Sequence, residues 1–142
     1  MSYNPNDIAY CGIDCANCEL YAPNRNIEVQ TRAAQRLGKK PEEMACKGCK
    51  AQGGCVIKMD CATYACVTGK KLDSCGECPE FPCCMLMPAA DGANFYPSNL
   101  KLYNLCRIKL MGPEKFLEEA KSNRERYFRG KFIIGAGPQD PV

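Results

Sequence analysis

Apolar residues recur at three- and four-residue spacing in three stretches of the chain, and each stretch predicts a helix. In the first, from about Asn26 to Leu37, residues Ile27, Thr31, Ala34 and Leu37 stack on one face, and Gly38 suits the left-handed position beyond a helix end. The second is predicted to follow Ser98, a good N-cap, and to run to about Met111 with Leu102, Leu105, Cys106 and Leu110 along one side. Gly112-Pro113 then marks a break and a restart, because proline is well tolerated at a first helical position. The third helix runs from Pro113 to about Arg129. Glu114 sits near its positive end and basic residues crowd its negative end, as the helix dipole favours; Phe116, Leu117, Ala120, Tyr127 and Phe128 are its core candidates. Strand signals are confined to Cys55-Val56-Ile57 and Phe132-Ile133-Ile134, and Pro88 to Pro97 reads as a loop.

Composition changes this picture. Of 142 residues 46% are hydrophobic, but that fraction includes thirteen cysteines, and there is no Trp and only five Phe. A chain so short of ordinary core residues needs staples. Twelve cysteines lie between Cys11 and Cys84, and only Cys106 lies beyond. The expected organisation is one domain over residues 1–142, with a Cys-rich metal-binding part at 8–87 and a helical part at 98–131. Its expected class is a small, mainly helical α+β fold whose metal-stapled N-terminal half packs with the C-terminal helices.

The cysteines can be disulfides, metal ligands or reactive thiols. Residues Met1 to Asp7 have neither the basic start nor the apolar run of a secretory signal, and no stretch approaches the roughly 18 apolar residues of a membrane span. A cytoplasmic location is expected, where thiols stay reduced. An odd number of cysteines would also strand one thiol in a disulfide framework. Metal ligation is therefore expected. The formal charge of +3 counts neutral thiols. A zinc ion with four thiolates carries about −2, so two or three such sites make the folded protein mildly acidic, and the formal charge is no argument for nucleic-acid binding.

Three Cys-x-x-Cys units stand out: Cys15-Ala16-Asn17-Cys18, Cys46-Lys47-Gly48-Cys49 and Cys75-Gly76-Glu77-Cys78. Two intervening residues allow a tight turn, a zinc knuckle, that aims both sulfurs at one tetrahedral ion. Gly48 and Gly76 are expected to supply the backbone freedom of such turns. Further candidate ligands are Cys11, Cys55, Cys61, Cys66 and Cys83. Histidine is absent, so a zinc site is all-sulfur or finishes with a carboxylate or water. Cys106, within a helical apolar stripe, and Cys84, vicinal to Cys83, read as small buried apolar residues. Asp14 reads as a turn residue. Eleven ligands are not a multiple of four. Either sulfurs bridge two ions, one site is completed by another ligand, or some of the eleven are bystanders.

Three phrases carry a family resemblance. They are Ala9-Tyr10-Cys11-Gly12-Ile13-Asp14-Cys15-Ala16-Asn17-Cys18, then Cys46-Lys47-Gly48-Cys49, then Cys75-Gly76-Glu77-Cys78-Pro79-Glu80-Phe81-Pro82-Cys83. With these, the chain resembles the cysteine-rich prokaryotic family called domain of unknown function 3795. The helical run Leu110-Met111-Gly112-Pro113-Glu114-Lys115-Phe116-Leu117 also fits, so the resemblance covers roughly residues 9–120. Such proteins usually carry Cys-x-Ile-Arg-x-Cys before the last phrase. Here Cys61-Ala62-Thr63-Tyr64-Ala65-Cys66 keeps the spacing and lacks the Ile-Arg. The resemblance implies metal binding, commonly taken to be zinc, and no established reaction.

No catalytic residue stands out, because histidine is absent and the carboxylates have no recognisable pairing; an enzyme is not the expected class. Closed sites of four cysteines leave no open position for water and are structural. The expected function is a binding or adaptor module built on two or three structural zinc ions, with a protein partner the sequence does not name. The alternative is an iron–sulfur cluster in electron transfer or redox sensing, since such ligation needs only four cysteines. Cys11-x3-Cys15-x2-Cys18 has the radical-SAM spacing. Asn17 stands where an aromatic is usual, however, and 142 residues cannot hold the usual barrel beside the other cysteine sites. Lys121, Arg124, Arg126, Arg129 and Lys131, with Tyr127 and Phe128 among them, are the residues a nucleic acid would meet. Glu118, Glu119 and Glu125 dilute that charge, and the stretch reads as a solvated amphipathic helix. Gly135-Ala136-Gly137-Pro138 has the look of a dinucleotide motif without a following helix to hold the phosphate.

Overall fold

The computed structural model describes residues 3–83, 85–86, 99–133 and 136–142, which are mainly helical. The helices are α1 (Ile27–Leu37), α2 (Cys49–Gln52), α3 (Ala62–Gly69), α4 (Asn99–Met111) and α5 (Pro113–Arg129), with tighter 3-10 turns at Pro5–Asp7, Ala22–Asn24, Pro41–Met44 and Cys75–Glu77. Strands β1 (Phe132–Ile133) and β2 (Gly137–Pro138) pair antiparallel, Phe132 opposite Pro138 and Ile133 opposite Gly137. The expected loop at Pro88–Pro97, the cap Ser98, Cys84, Ile134 and Gly135 lie outside the described residues. Among the described residues no helix is long and apolar enough to cross a membrane.

The Asn26 side chain caps α1, accepting from the backbone N–H groups of Glu28 (3.0 Å) and Val29 (3.2 Å), and Gly38 ends it at φ 62°. Its buried face is only in part the one the spacing suggested, sharing Ala34. Ile27 is 66% exposed and Leu37 is exposed, whereas Gln30 and Ala34 are buried with Val29 and Ala33 beside them. The cause is the turn that follows. Pro41–Met44 folds back onto α1 and drives the fully buried Met44 against Ala34, while Gln30 Nε2 donates to the Pro41 carbonyl. A buried amide that makes such a bond is tolerated where an unpaired one is not.

Three further departures have local causes. Cys55-Val56-Ile57 is a bend rather than a strand. Gly53 and Gly54 turn the chain, Val56 points inward beside Met44, and Lys39 Nζ binds the Val56 carbonyl at 2.8 Å. Helix α3 was not foreseen: its Thr, Tyr and Val residues are weak helix formers, and its apolar residues run round the axis instead of forming a stripe. In α4 the buried residues are Leu100, Asn104 and Leu105, with Ile108 and Met111 packed towards α5. Leu110 is 75% exposed and Cys106 faces solvent, so the expectation of a core cysteine at 106 fails.

Helix α5 has the expected bounds, starting at Pro113 after Gly112 at φ 83°. Phe116 and Ala120 pack with Ile8, and Arg107 clamps α4 to α5 through two bonds to Glu119, at 2.7 and 2.8 Å. Tyr127 is half-buried beside Tyr103, and Phe128 is exposed under the Arg124 guanidinium. The helical part meets the cysteine-rich part along one seam. Asn104 Nδ2 donates to the Gly12 carbonyl at 2.8 Å, Arg124 Nη1 to the Asp14 carbonyl at 3.2 Å, and Leu105 packs with Cys75 and Leu86.

Candidate metal centre

The twelve described cysteines are all free thiols. Each Cys-x-x-Cys unit is a tight turn with its own support. In the first, Cys18 N–H binds the Cys15 carbonyl at 2.9 Å, and the buried Asp14 accepts from Asn17 backbone N–H (3.2 Å) and from Asn17 Nδ2 (2.8 Å). Asp14 is thus the turn residue it was read as. Burial raises its carboxyl above the usual value, opposed by the bonds from Asn17. In the second, Gly48 adopts φ 88° and its N–H points at Cys46 Sγ at 3.3 Å. A Cβ there would also stand 3.1 Å from the Asn6 carbonyl oxygen. The third is the 3-10 turn Cys75–Glu77, capped by Ser74 Oγ accepting from Gly76 N–H at 3.1 Å. Gly76, unlike Gly48, has no left-handed backbone, so the side-chain cap rather than glycine freedom closes this turn.

Four candidate ligands line a single cavity of about 170 Å³: Cys66 from α3, Cys75 and Cys78 from the third turn, and Cys83. Val67, Leu72, Phe81 and Leu86 close its walls. At its mouth Lys70 Nζ lies 3.6 Å from Cys78 Sγ and 2.9 Å from Glu80 Oε2. The Cys75 thiol is pushed up to about 12, by burial first and then by the neighbouring Cys11, Cys83, Cys66 and Cys78. A thiol in such surroundings stays protonated at neutral pH unless a cation replaces the proton.

The other seven candidates are Cys11, Cys15, Cys18, Cys46, Cys49, Cys55 and Cys61, and the packing brings four of them together. Buried Cys15 packs with Ala9 and Tyr21, and Cys11, Cys18 and Cys49 close around it. Cys18 and Cys46 share the margin of the adjoining Met44 cluster. Burial raises the Cys46 thiol, opposed by the Gly48 N–H, with Cys18, Cys55 and Cys49 adding to the rise. Burial likewise raises the Cys49 thiol, against a bond from the Tyr10 N–H and the charge of Lys50, with Cys55 and Cys61 adding. Cys11, raised first by burial and lowered by Lys101 and the Ile13 N–H, feels Cys49 and Cys61 and also packs towards Cys75. Cys61 precedes helix α3 at its N-cap, and Cys66 lies within the helix. Among the described residues, no three cysteine, aspartate or glutamate side chains already converge as a finished ligand set.

Sequence reasoning missed Lys70, Glu80 and Asn104. Lys70 follows Cys66 by four residues, so a helix assigned to Ala62–Gly69 would have put both on one side. The three arginines of α5 are engaged within the chain: Arg124 lies 4.8 Å over the Phe128 ring, Arg126 pairs with Asp140 at 2.9 Å, and Arg129 pairs with Glu19 and Glu125, each at 3.3 Å.

A family model described as a protein of unknown function (DUF3795) matches residues 7–88, the span that holds every candidate ligand. No curated protein and no solved structure matches the chain.

Proposed function

The chain belongs to the family of unknown function DUF3795, and we propose that it is a zinc-binding scaffold whose cysteine-only sites hold its N-terminal half in shape for a protein partner in the cytoplasm. The observation that carries this reading is the cavity shared by Cys66, Cys75, Cys78 and Cys83. Four thiols drawn from two separate chain segments, with apolar walls behind them, match the requirement of a closed structural site, which takes four ligands and leaves no position for water. The N–H groups aimed at Cys46, Cys11 and Cys49 support thiolates at those positions.

Metal analysis of protein purified without oxygen, read with its absorption spectrum, tests the proposal. Stoichiometric zinc without visible absorbance is the expected result; a brown protein holding iron and sulfide would overturn it in favour of a cluster. Structural zinc contributes on the order of 10 kcal/mol in small peptides, comparable to the net stability of a domain. Chelation in mild acid should therefore abolish the near-UV signal and much of the helical signal. Unchanged spectra after complete metal removal would count against the scaffold role.

A further inference from the structure

We propose that Lys70 is a positioning residue of the four-thiol cavity: its ammonium donates a charge-assisted hydrogen bond to the Cys78 thiolate and slows the release of zinc from that site. This inference rests on the zinc reading above and adds to it a residue that is not itself a ligand.

The backbone of Lys70 is fixed by its own helix. It stands at the C-terminal cap of α3, and its N–H donates to the Cys66 carbonyl at 3.1 Å. From there the side chain reaches across the cavity mouth, to Cys78 Sγ at 3.6 Å and to Glu80 Oε2 at 2.9 Å. One residue thus ties the helix that carries Cys66 to the turn that carries Cys75 and Cys78. The chemistry of the cavity favours a cation at this point. Four thiolates around a divalent ion leave a net charge of about −2. The walls supplied by Val67, Leu72, Phe81 and Leu86 are apolar side chains with no donor. The C-terminal end of α3 adds partial negative charge beside Lys70. An ammonium offsets part of that charge without taking a ligand position, because it donates hydrogen bonds and has no lone pair to offer a metal. The same bond draws electron density from the sulfur of Cys78 and makes it a weaker nucleophile. Glu80, by contrast, is 72% exposed, and its pair with Lys70 is of the surface kind that contributes little. Loss of the Glu80 charge should therefore matter far less than loss of Lys70.

The test uses the full chain, loaded with zinc under reducing conditions, and follows the transfer of zinc to a chromogenic chelator. Lys70→Met keeps the length of the side chain and removes its charge and its donors. It should speed the release of one zinc per chain by about tenfold at low salt and leave the release of other zinc unchanged; a hydrogen bond to a charged group is strong, but this one is partly exposed and screened. Lys70→Arg keeps charge and donors and should return release to near the wild-type rate. Glu80→Gln should stay within about twofold of wild type. Mass spectrometry reports the same contact residue by residue. In the zinc-loaded protein iodoacetamide should alkylate Cys78 faster in Lys70→Met than in wild type, and Lys70→Arg should reverse the gain. Equal release from Lys70→Met and wild type, an equal acceleration in Glu80→Gln, or an acceleration that Lys70→Arg fails to reverse would overturn the role of Lys70 and leave the zinc scaffold standing. Simultaneous release of all zinc from Lys70→Met would mark loss of the fold rather than of one bond, and would overturn it as well. A wild-type chain that retains no zinc would overturn both readings.

Discussion

Substitution of Gly12 by Ala tests the seam on which the first cysteine loop rests. Gly12 adopts φ 85°, and a Cβ added there would meet Leu105 Cγ at 2.7 Å, Leu105 Cδ2 at 3.0 Å and the Lys101 carbonyl oxygen at 3.0 Å. Leu105 is 1% exposed and packed among Val67, Cys75 and Leu86, so it has little room to give. A left-handed backbone costs a non-glycine residue roughly 1–2 kcal/mol. An extra methyl forced into a packed core costs about 1–3 kcal/mol. Gly12→Ala should therefore destabilise the protein by about 2–5 kcal/mol, read as a lowered urea midpoint at unchanged slope. A double-mutant cycle separates the two contributions. In a Leu105→Ala background the contacts with Leu105 Cγ and Cδ2 vanish, and Gly12→Ala should cost less, chiefly the backbone part of about 1–2 kcal/mol with the Lys101 carbonyl contact remaining. A loss below about 0.5 kcal/mol in the wild-type background, or an undiminished loss in the Leu105→Ala background, would refute the packing of α4 against this loop.

Cys106 faces solvent, whereas Cys75 is buried with its thiol pushed up to about 12; a brief iodoacetamide pulse on native protein, mapped by mass spectrometry, should label Cys106 first, and earlier labelling of Cys75 would contradict this. Cys106→Ser should shift stability by less than about 0.5 kcal/mol, unlike a core replacement. The Glu119 carboxyl is held below its usual value chiefly by its bonds from Arg107, with burial opposing. Its contribution is therefore present above the unfolded value of about 4.5 and is lost as pH falls through the folded value. Glu119→Gln should lower the melting temperature at pH 7, and the gap to wild type should shrink below pH 4.5; a gap equal at both pH values would speak against the clamp.

The parts of the fold legible in the sequence are those with local causes. Helix α5 shows in its proline start and in Phe116 and Ala120; α1 shows in its caps, Asn26 and Gly38. What escaped depends on contacts distant in the chain. The inward face of α1 is chosen by Met44 and the Pro41 carbonyl, neither of which belongs to the helix. Periodicity alone could not see that Asn104, not Cys106, belongs inside, because a buried asparagine is explained only by a partner 92 residues away. The site divides the same way. The Cys-x-x-Cys spacing marked six thiols without help. The four-thiol cavity depends on α3, which brings Cys66 to Cys75, Cys78 and Cys83 and whose residues announce no helix.

Asn104 also shows what the helical part contributes to the cysteine loop, and one substitution makes that measurable. Its Nδ2 donates to the Gly12 carbonyl, between Cys11 and Cys15, while its Oδ1 has no hydrogen-bond partner among the described residues. Asn104→Asp keeps the size of the side chain and removes the donor. As a carboxylate it places a buried charge against a carbonyl oxygen; as a carboxylic acid it has an O–H that can restore the bond. Burial of this kind raises a carboxyl by up to roughly 3–5 pH units, and each unit corresponds to about 1.4 kcal/mol. The folded value therefore lies above the unfolded value of about 3.9, so the stability is whole below that value and is lost as pH rises through the folded value. Asn104→Asp should fall behind the wild type by an amount that grows between about pH 4 and 7, reaching about 4 kcal/mol for a shift of about three units. Urea midpoints of both proteins across that window give the measurement. A deficit that stays constant with pH would mean that the side chain at 104 meets water rather than the Gly12 carbonyl, and the seam between α4 and the first cysteine loop would have to be redrawn.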